Sequence, residues 1–260
     1  MFKTLRNAWK ISELRSKILF TLLIIALYRI GTAIPVPFIN YEALIASGTS
    51  TLFTTGVFGY LDILSGGALS SPAIFALSVT PYINAQIIMQ LLTVAIPPLE
   101  RLAKNGEEGR KKIEKITRYL TFVLAIITAI GYYAILSSLG LIVKSDVNWF
   151  FKAFVIVAVF TAGASVIMWL GERIDEQGIG NGISMILFAN IVAALPNNII
   201  QYVGSLSASK VAVWAKWVLG ILTFVIMIAS ILFVTYMTDA ERRIPVQYAK
   251  KVVGRKMYGG

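Results

Sequence analysis

Two clusters in this chain of 260 residues have the residue types and spacing for chemistry. Glu172, Arg173, Asp175 and Glu176 place three carboxylates within little more than one helical turn, a pattern that general acid–base catalysis exploits when neighbouring charges split two pKa values. Gly178-Ile-Gly180-Asn-Gly182 has the look of a phosphate cradle, in which glycines let backbone N–H groups approach an anion. The surroundings speak against both. A dinucleotide fingerprint needs a preceding strand and a βαβ unit, and neither is legible. The carboxylates close a long apolar run, where solvated charge at a helix end is expected, and the glycines read as a tight entry to the next helix. The chain has no His and no Cys. Triads, Cys-His dyads, disulfides and thiolate or imidazole metal sites are therefore excluded, and neither a cofactor nor a catalytic residue is expected.

The elements that would have to position such groups are membrane spans. Hydrophobic residues make up 57% of the chain and charged ones 14%, with a mean hydropathy of +0.75, more than a water-soluble core of this size needs. The net charge of +11 sits in short segments between apolar runs, with no basic, aromatic-laced surface segment, so direct DNA binding is not expected. Six runs reach the roughly 20 residues a bilayer requires: about Ile18 to Ile34, Pro72 to Ile96, Tyr119 to Leu139, Trp149 to Gly171, Gly182 to Val203 and Val213 to Thr238.

Charge orients these spans. No Lys or Arg occurs from Ile30 to Glu100, whereas Arg101 to Arg118 holds seven. With both termini in the cytoplasm, nineteen basic residues fall on that side and four (Lys144, Lys152, Lys210 and Lys216) on the other, as the positive-inside rule demands. Arg29 stands inside the first span. That span is expected to be retained rather than cleaved as a secretory signal, since Arg29 and the Pro35-Val-Pro37 exit fit a signal poorly.

Three segments stand apart. Pro35 to Ser71 is uncharged except for Glu42 and Asp62, too broken to span, and apolar at Leu52, Phe53, Val57, Phe58, Leu61, Ile63 and Leu64. Gly56, Gly59 and Gly66-Gly67 should limit any helix there to about two turns, and if it dips into the membrane a cavity must receive it. The second span carries Thr80, Asn84, Gln86 and Gln90, polar side chains that lipid cannot satisfy; Val79, Ile83, Gln86 and Gln90 share a helical stripe, repeated by Ile183, Leu187, Asn190 and Ala194. A cavity wall or interhelical hydrogen bonding would each account for it. Finally, Arg242, Arg243, Lys250, Lys251, Arg255 and Lys256 alternate with Val, Tyr and Ile, as suits anionic lipid or a docked cytoplasmic partner.

Several strings, in order and in register, resemble the SecY family, the channel subunits of the bacterial protein translocase: Tyr28-Arg-Ile-Gly-Thr-Ala-Ile-Pro-Val-Pro, Ser65-Gly-Gly-Ala-Leu-Ser, Thr80-Pro-Tyr-Ile, Gly106-Glu-Glu-Gly-Arg-Lys-Lys-Ile, Gly178-Ile-Gly-Asn-Gly-Ile-Ser and Glu241-Arg-Arg-Ile-Pro-Val-Gln-Tyr-Ala-Lys. The resemblance implies an all-α polytopic membrane protein whose six helices form one half of an inverted-repeat clamshell plus the first helix of the second half. It implies a cytoplasmic tail at 1–17, a five-helix half at 18–203, an external hinge at 204–212, a sixth helix at 213–238 and part of a basic loop at 239–260.

By position, the family's pore ring falls on Val79, Ile83, Ile183 and Leu187, its plug on about 51–64, and its lateral gate on Asn84, Gln86, Gln90, Ile127 and Thr128. The gate departs from the family's pattern, which often has a larger amide at Thr128 and small hydroxyls at Asn84 and Gln86. Implied partners are the small subunits SecE and SecG, the motor ATPase SecA, the ribosome, and a secretory polypeptide with its signal sequence. The implied place is the bacterial cytoplasmic membrane. A secondary transporter is the rival from another class, but ion-driven transporters usually carry carboxylates or His within spans; an intramembrane protease would need a Ser-Lys or Asp pair there, and the spans hold neither.

Overall fold

The computed structural model describes residues 9–46, 56–144, 147–208, 213–241, 251–253 and 256–258. Two compact units divide the chain, Met1–Asn198 and Ile199–Gly260. In chain order the described helices are α1 (Ser12–Gly31), α2 (Tyr41–Ala46), α3 (Gly56–Ser65), α4 (Thr80–Ala95), α5 (Pro97–Lys104), α6 (Gly106–Ser138), α7 (Trp149–Gln177), α8 (Gly182–Ala208) and α9 (Val213–Thr238), followed by β1 (Lys251–Val253) and β2 (Lys256–Tyr258).

Helices α6 to α9 are each long and apolar enough to cross a membrane, and α4 with α5 makes a fifth candidate bent by 101°. The chain is a multi-pass, all-α membrane protein apart from one short antiparallel β-hairpin. The count differs from the six expected. Over α1, Glu13, Arg15, Lys17 and Arg29 interrupt the apolar run, although Leu19, Leu22, Leu23, Leu27 and Ile30 all stay exposed on it, the outward apolar surface a bilayer would cover.

The first unit is organised around α7. Its Ile156, Phe160, Ala164, Ile167, Gly171 and Ile174 are buried at spacings of three and four, one stripe of an α-helix. The upper part joins a cluster with Ala125, Ala129, Tyr132 and Leu136 of α6 and with Val36, Ile39, Leu69 and Leu77. The lower part joins a second with Ile24 and Tyr28 of α1, Phe75, Val79, Tyr82, Ile183 and Ile186. Small residues let the backbones close, as van der Waals packing between membrane helices requires: a Cβ on Gly163 would lie 2.1 Å from the Ile74 carbonyl oxygen, and one on Gly182 2.0 Å from that of Gly171.

The second expected span is corrected most. Pro72 to Val79 is a series of turns, and the helix begins only at Thr80. Ser78 has φ +51, a left-handed conformation uncommon for a residue with a Cβ, and Pro81 occupies the first turn of α4, where its missing N–H is harmless. The irregular stretch is tolerated because protein encloses it: Ala73, Phe75, Ala76, Leu77 and Val79 are all buried, as non-helical backbone at membrane depth must be. At the other end Pro97 forces Ile96 out of helical geometry, to φ −109 and ψ 111, as a residue before proline is restricted. There α4 stops and α5 turns away.

The basic run after Glu100 is helical, not a loop. It comprises α5 and the first turns of α6, with i,i+4 pairs Glu107–Lys111, Glu108–Lys112 and Glu114–Arg118. Gly109 permits α5 to fold back, since a Cβ there would lie 1.8 Å from the Leu102 carbonyl oxygen. In the second unit α8 continues to Ala208, so most of the expected hinge at 204–212 is helix and the rest lies outside the described residues. There Tyr202 and Thr223 share a hydrogen bond of 2.7 Å between α8 and α9, and no residue of α9 is buried.

Candidate functional site

The four residues of the expected ring meet in one apolar cluster. Val79 and Ile183 are buried within it, while Ile83 and Leu187 pack against it part-exposed. Val79 immediately precedes α4 rather than lying on it, so the expected stripe starts at Ile83. The buried side of α4 is Tyr82, Ala85 and Met89; Asn84, Gln86 and Gln90 are exposed on its other faces, and Gln86 donates to the Tyr82 hydroxyl at 2.8 Å.

Helix α3 reaches this cluster with its C-terminal end. Its ten residues, nearly three turns, exceed the two turns expected because Gly56 and Gly59 lie inside the helix, whereas Gly66 (φ 68) and Gly67 (φ 86) end it in left-handed turns suited to glycine. Leu61 packs against the upper core cluster, and Val57 is 76% exposed. Leu52 and Phe53 lie outside the described residues.

The last carbonyls of α3 face donors from three other elements. The Leu64 carbonyl accepts from the Ser78 hydroxyl at 2.9 Å and from the Asn190 amide at 2.7 Å. The Ser65 carbonyl accepts from the Tyr28 hydroxyl at 3.4 Å, and the Gly66 carbonyl from the Arg29 guanidinium at 2.9 Å. Asn190 is 1% exposed and spends its other amide N–H on the Tyr28 hydroxyl at 2.9 Å. Within the turn, the Ser70 N–H donates to Asp62 at 2.7 Å; burial raises the pKa of that carboxyl, against the Ser70 bond.

A cavity of about 230 Å³ adjoins α3. Phe58 and Leu61, the Leu69–Leu77 turns, Thr80 and Pro81 of α4, and Thr128 and Tyr132 of α6 line it. Of the expected gate residues Thr128 alone lines that cavity, and its hydroxyl bonds back to Leu124 and Ala125 of its own helix. Ile127 is 59% exposed.

The carboxylate cluster divides. Glu172 is not solvated: only 13% of its side chain is exposed, and the Arg118 guanidinium lies 2.7 Å away, joining α6 to α7. Asp175 accepts from the Gly182 N–H at 2.7 Å and so ties the glycine turn to α7, while Arg173 and Glu176 pair at the surface. Among the described residues no His, Cys, Asp or Glu group could hold a metal. Of the basic C-terminal residues, Lys251 pairs in register with Tyr258, and Lys256 with Val253, in the β-hairpin; Arg242, Arg243, Lys250 and Arg255 lie outside the described residues.

The family model of SecY matches residues 73–260. The chain belongs to the SecY family. SecY of Streptomyces scabiei, a protein translocase subunit, is 43% identical across all of this chain, and SecY of Pseudomonas aeruginosa is 45% identical across 95% of it. The chain spans 60% and 54% of those relatives. Among solved structures, a protein-conducting channel superimposes with a TM-score of 0.55 at 17% identity, covering 94% of this chain and 52% of the other. The canine Sec61 of a ribosome–channel complex from the endoplasmic reticulum gives 0.54, also at 17%, covering 89% and 49%. Both likenesses concern the fold alone.

The network around Leu64 was not foreseen. Arg29 and Asn190 stood out in the sequence as polar residues inside spans, which was the available signal; their targets are backbone carbonyls, which any residue supplies.

Proposed function

We propose that this chain is part of a protein-conducting channel of the bacterial cytoplasmic membrane. It passes unfolded secretory polypeptides across the bilayer and releases apolar segments sideways into lipid. The observation that carries the reading is the seating of α3: its end rests on Ser78, next to Val79, and on Asn190, one turn after Leu187. A short helix held beside an apolar ring is what a stoppered pore needs, because side chains of that size yield to an extended polypeptide yet exclude water and ions.

In this reading Ile83 and Leu187 present the ring surface, Val79 and Ile183 support them, and α3 with 51–55 is the plug. Asn84, Gln86 and Gln90 of α4, with Ile127 and Thr128 of α6, border the lateral gate. Both termini are cytoplasmic, as is the α5–α6 hairpin. The first helix counts as a span, giving six, with the rest of the clamshell contributed from outside these residues. The basic segment from Arg242 to Lys256 docks the SecA motor or the ribosome, which supply energy, while SecE and SecG complete the complex and anionic lipid surrounds it. The chain itself catalyses no reaction.

Crosslinking tests this. The chain has no native Cys, so single cysteines at Val79, Ile83, Ile183 and Leu187, in the assembled complex, can be probed with a stalled secretory chain bearing one Cys. Crosslinks strongest at Ile83 and Leu187, and absent at Phe224, support the pore. A stalled chain that avoids all four positions while still reaching the cytoplasmic hairpin rules this path out.

A further inference from the structure

Asn190 and Arg29 have no part in the ring, the gate or the docking surface, yet both are spent on the end of α3. Three consecutive carbonyls, Leu64, Ser65 and Gly66, receive four donors from α1, α8 and the turn before α4. These are carbonyls that a helix C-terminus leaves without intrahelical partners, and the guanidinium also meets the negative end of the helix dipole.

The arrangement is costly, which argues that it is used. Asn190 is buried and its Oδ1 accepts no hydrogen bond, a penalty that an apolar residue of similar volume would avoid. Ser78 holds its hydroxyl on Leu64 from a left-handed backbone, a strained conformation for a residue with a Cβ. Gly66 leaves room for the approach: a Cβ there would lie 2.7 Å from both Arg29 Nη1 and Asn190 Oδ1.

We infer that Tyr28, Arg29, Ser78 and Asn190 form a polar latch on the end of α3, with Asn190 and Ser78 acting together on the Leu64 carbonyl to keep the helix seated when no polypeptide is present. This rests on the channel reading above. The latch engages the C-terminal end of α3, while Phe58 and Leu61 line the cavity farther along the helix. Losing a donor therefore favours the displaced position without removing any part of the pore wall.

The test uses Leu61→Cys as a reporter in the membrane-embedded complex without substrate, read by the rate of maleimide labelling. Asn190→Leu removes two donors while keeping the branched side-chain skeleton, and Ser78→Ala removes one while adding no bulk. Each is expected to speed labelling about fivefold, the factor corresponding to one hydrogen bond. The double variant should fall short of the product of the two, because both donors serve one carbonyl.

Ile156→Cys, at a fully buried site, reports intact packing and should stay protected throughout. Should Asn190→Leu expose it, Ser78→Ala decides. Unchanged labelling of Leu61→Cys with Ile156→Cys still protected overturns the latch. A stalled-chain crosslink at Leu187→Cys, made in parallel, separates the two claims: if it persists while labelling is unchanged, the channel stands and the latch falls. If the parent chain gives no crosslink, the channel reading falls on its own result.

Discussion

Gly131 and Gly163 show how little of a residue's role its type reveals. Both sit within long helices, but a Cβ on Gly131 would meet nothing within 4 Å, whereas one on Gly163 would lie 2.1 Å from the Ile74 carbonyl oxygen. Gly163→Ala should therefore destabilise by about 1–3 kcal/mol through overpacking. Gly131→Ala should stabilise by up to about 1 kcal/mol, since Ala favours the helix and narrows the unfolded ensemble. Thermal unfolding in one detergent, with shifts of opposite sign, is the check. Arg118→Ala should cost about 1–2 kcal/mol in the same assay, because it strands the mostly buried Glu172. Glu172 looked like surface charge because its neighbours in sequence are polar; its partner is on another helix, and a partner 54 positions away leaves no local pattern.

Helices read from hydropathy fared best where nothing interrupts them. The expected bounds Val213 to Thr238 are those of α9, and α6, α7 and α8 differ from expectation mainly by extending beyond their apolar cores into polar ends. Window averages fail at Pro72 to Val79, because an apolar segment packed as turns has the same hydropathy as one wound into a helix. The prolines were visible; the left-handed Ser78 was not, since serine carries no such preference. The α4–α5 break is a prediction at this scale. With a 101° bend between 16 and 8 residues, the ends at Thr80 and Lys104 lie about 25 Å apart, against about 37 Å for one continuous helix at 1.5 Å per residue. Replacing Pro97 and Pro98 by Ala should shift the distance between spin labels at those ends toward the longer value. An unchanged distance would mean that packing of α5 on α6, not proline, sets the bend.

At the level of the whole molecule, charge asymmetry makes orientation testable. An impermeant maleimide added from outside should label Ser138→Cys and spare Lys104→Cys in intact cells, and the reverse pattern would invert the topology proposed here. The apolar surface that the described helices expose was legible because composition alone demands it. The interior was not, because the turns from Leu69 to Val79 and the carbonyls of α3 are recognised by backbone, and backbone is invisible to composition. That enclosed stretch also bears on how the protein is made. Ile74 leaves the ribosome before Gly163, whose bare backbone it packs against, has been synthesised. At 5–20 residues per second, the roughly 90 residues between them take on the order of 5–20 s. During that interval the peptide groups of the stretch lack their final enclosure at bilayer depth, so biogenesis must shelter them in water or against another protein until α7 arrives.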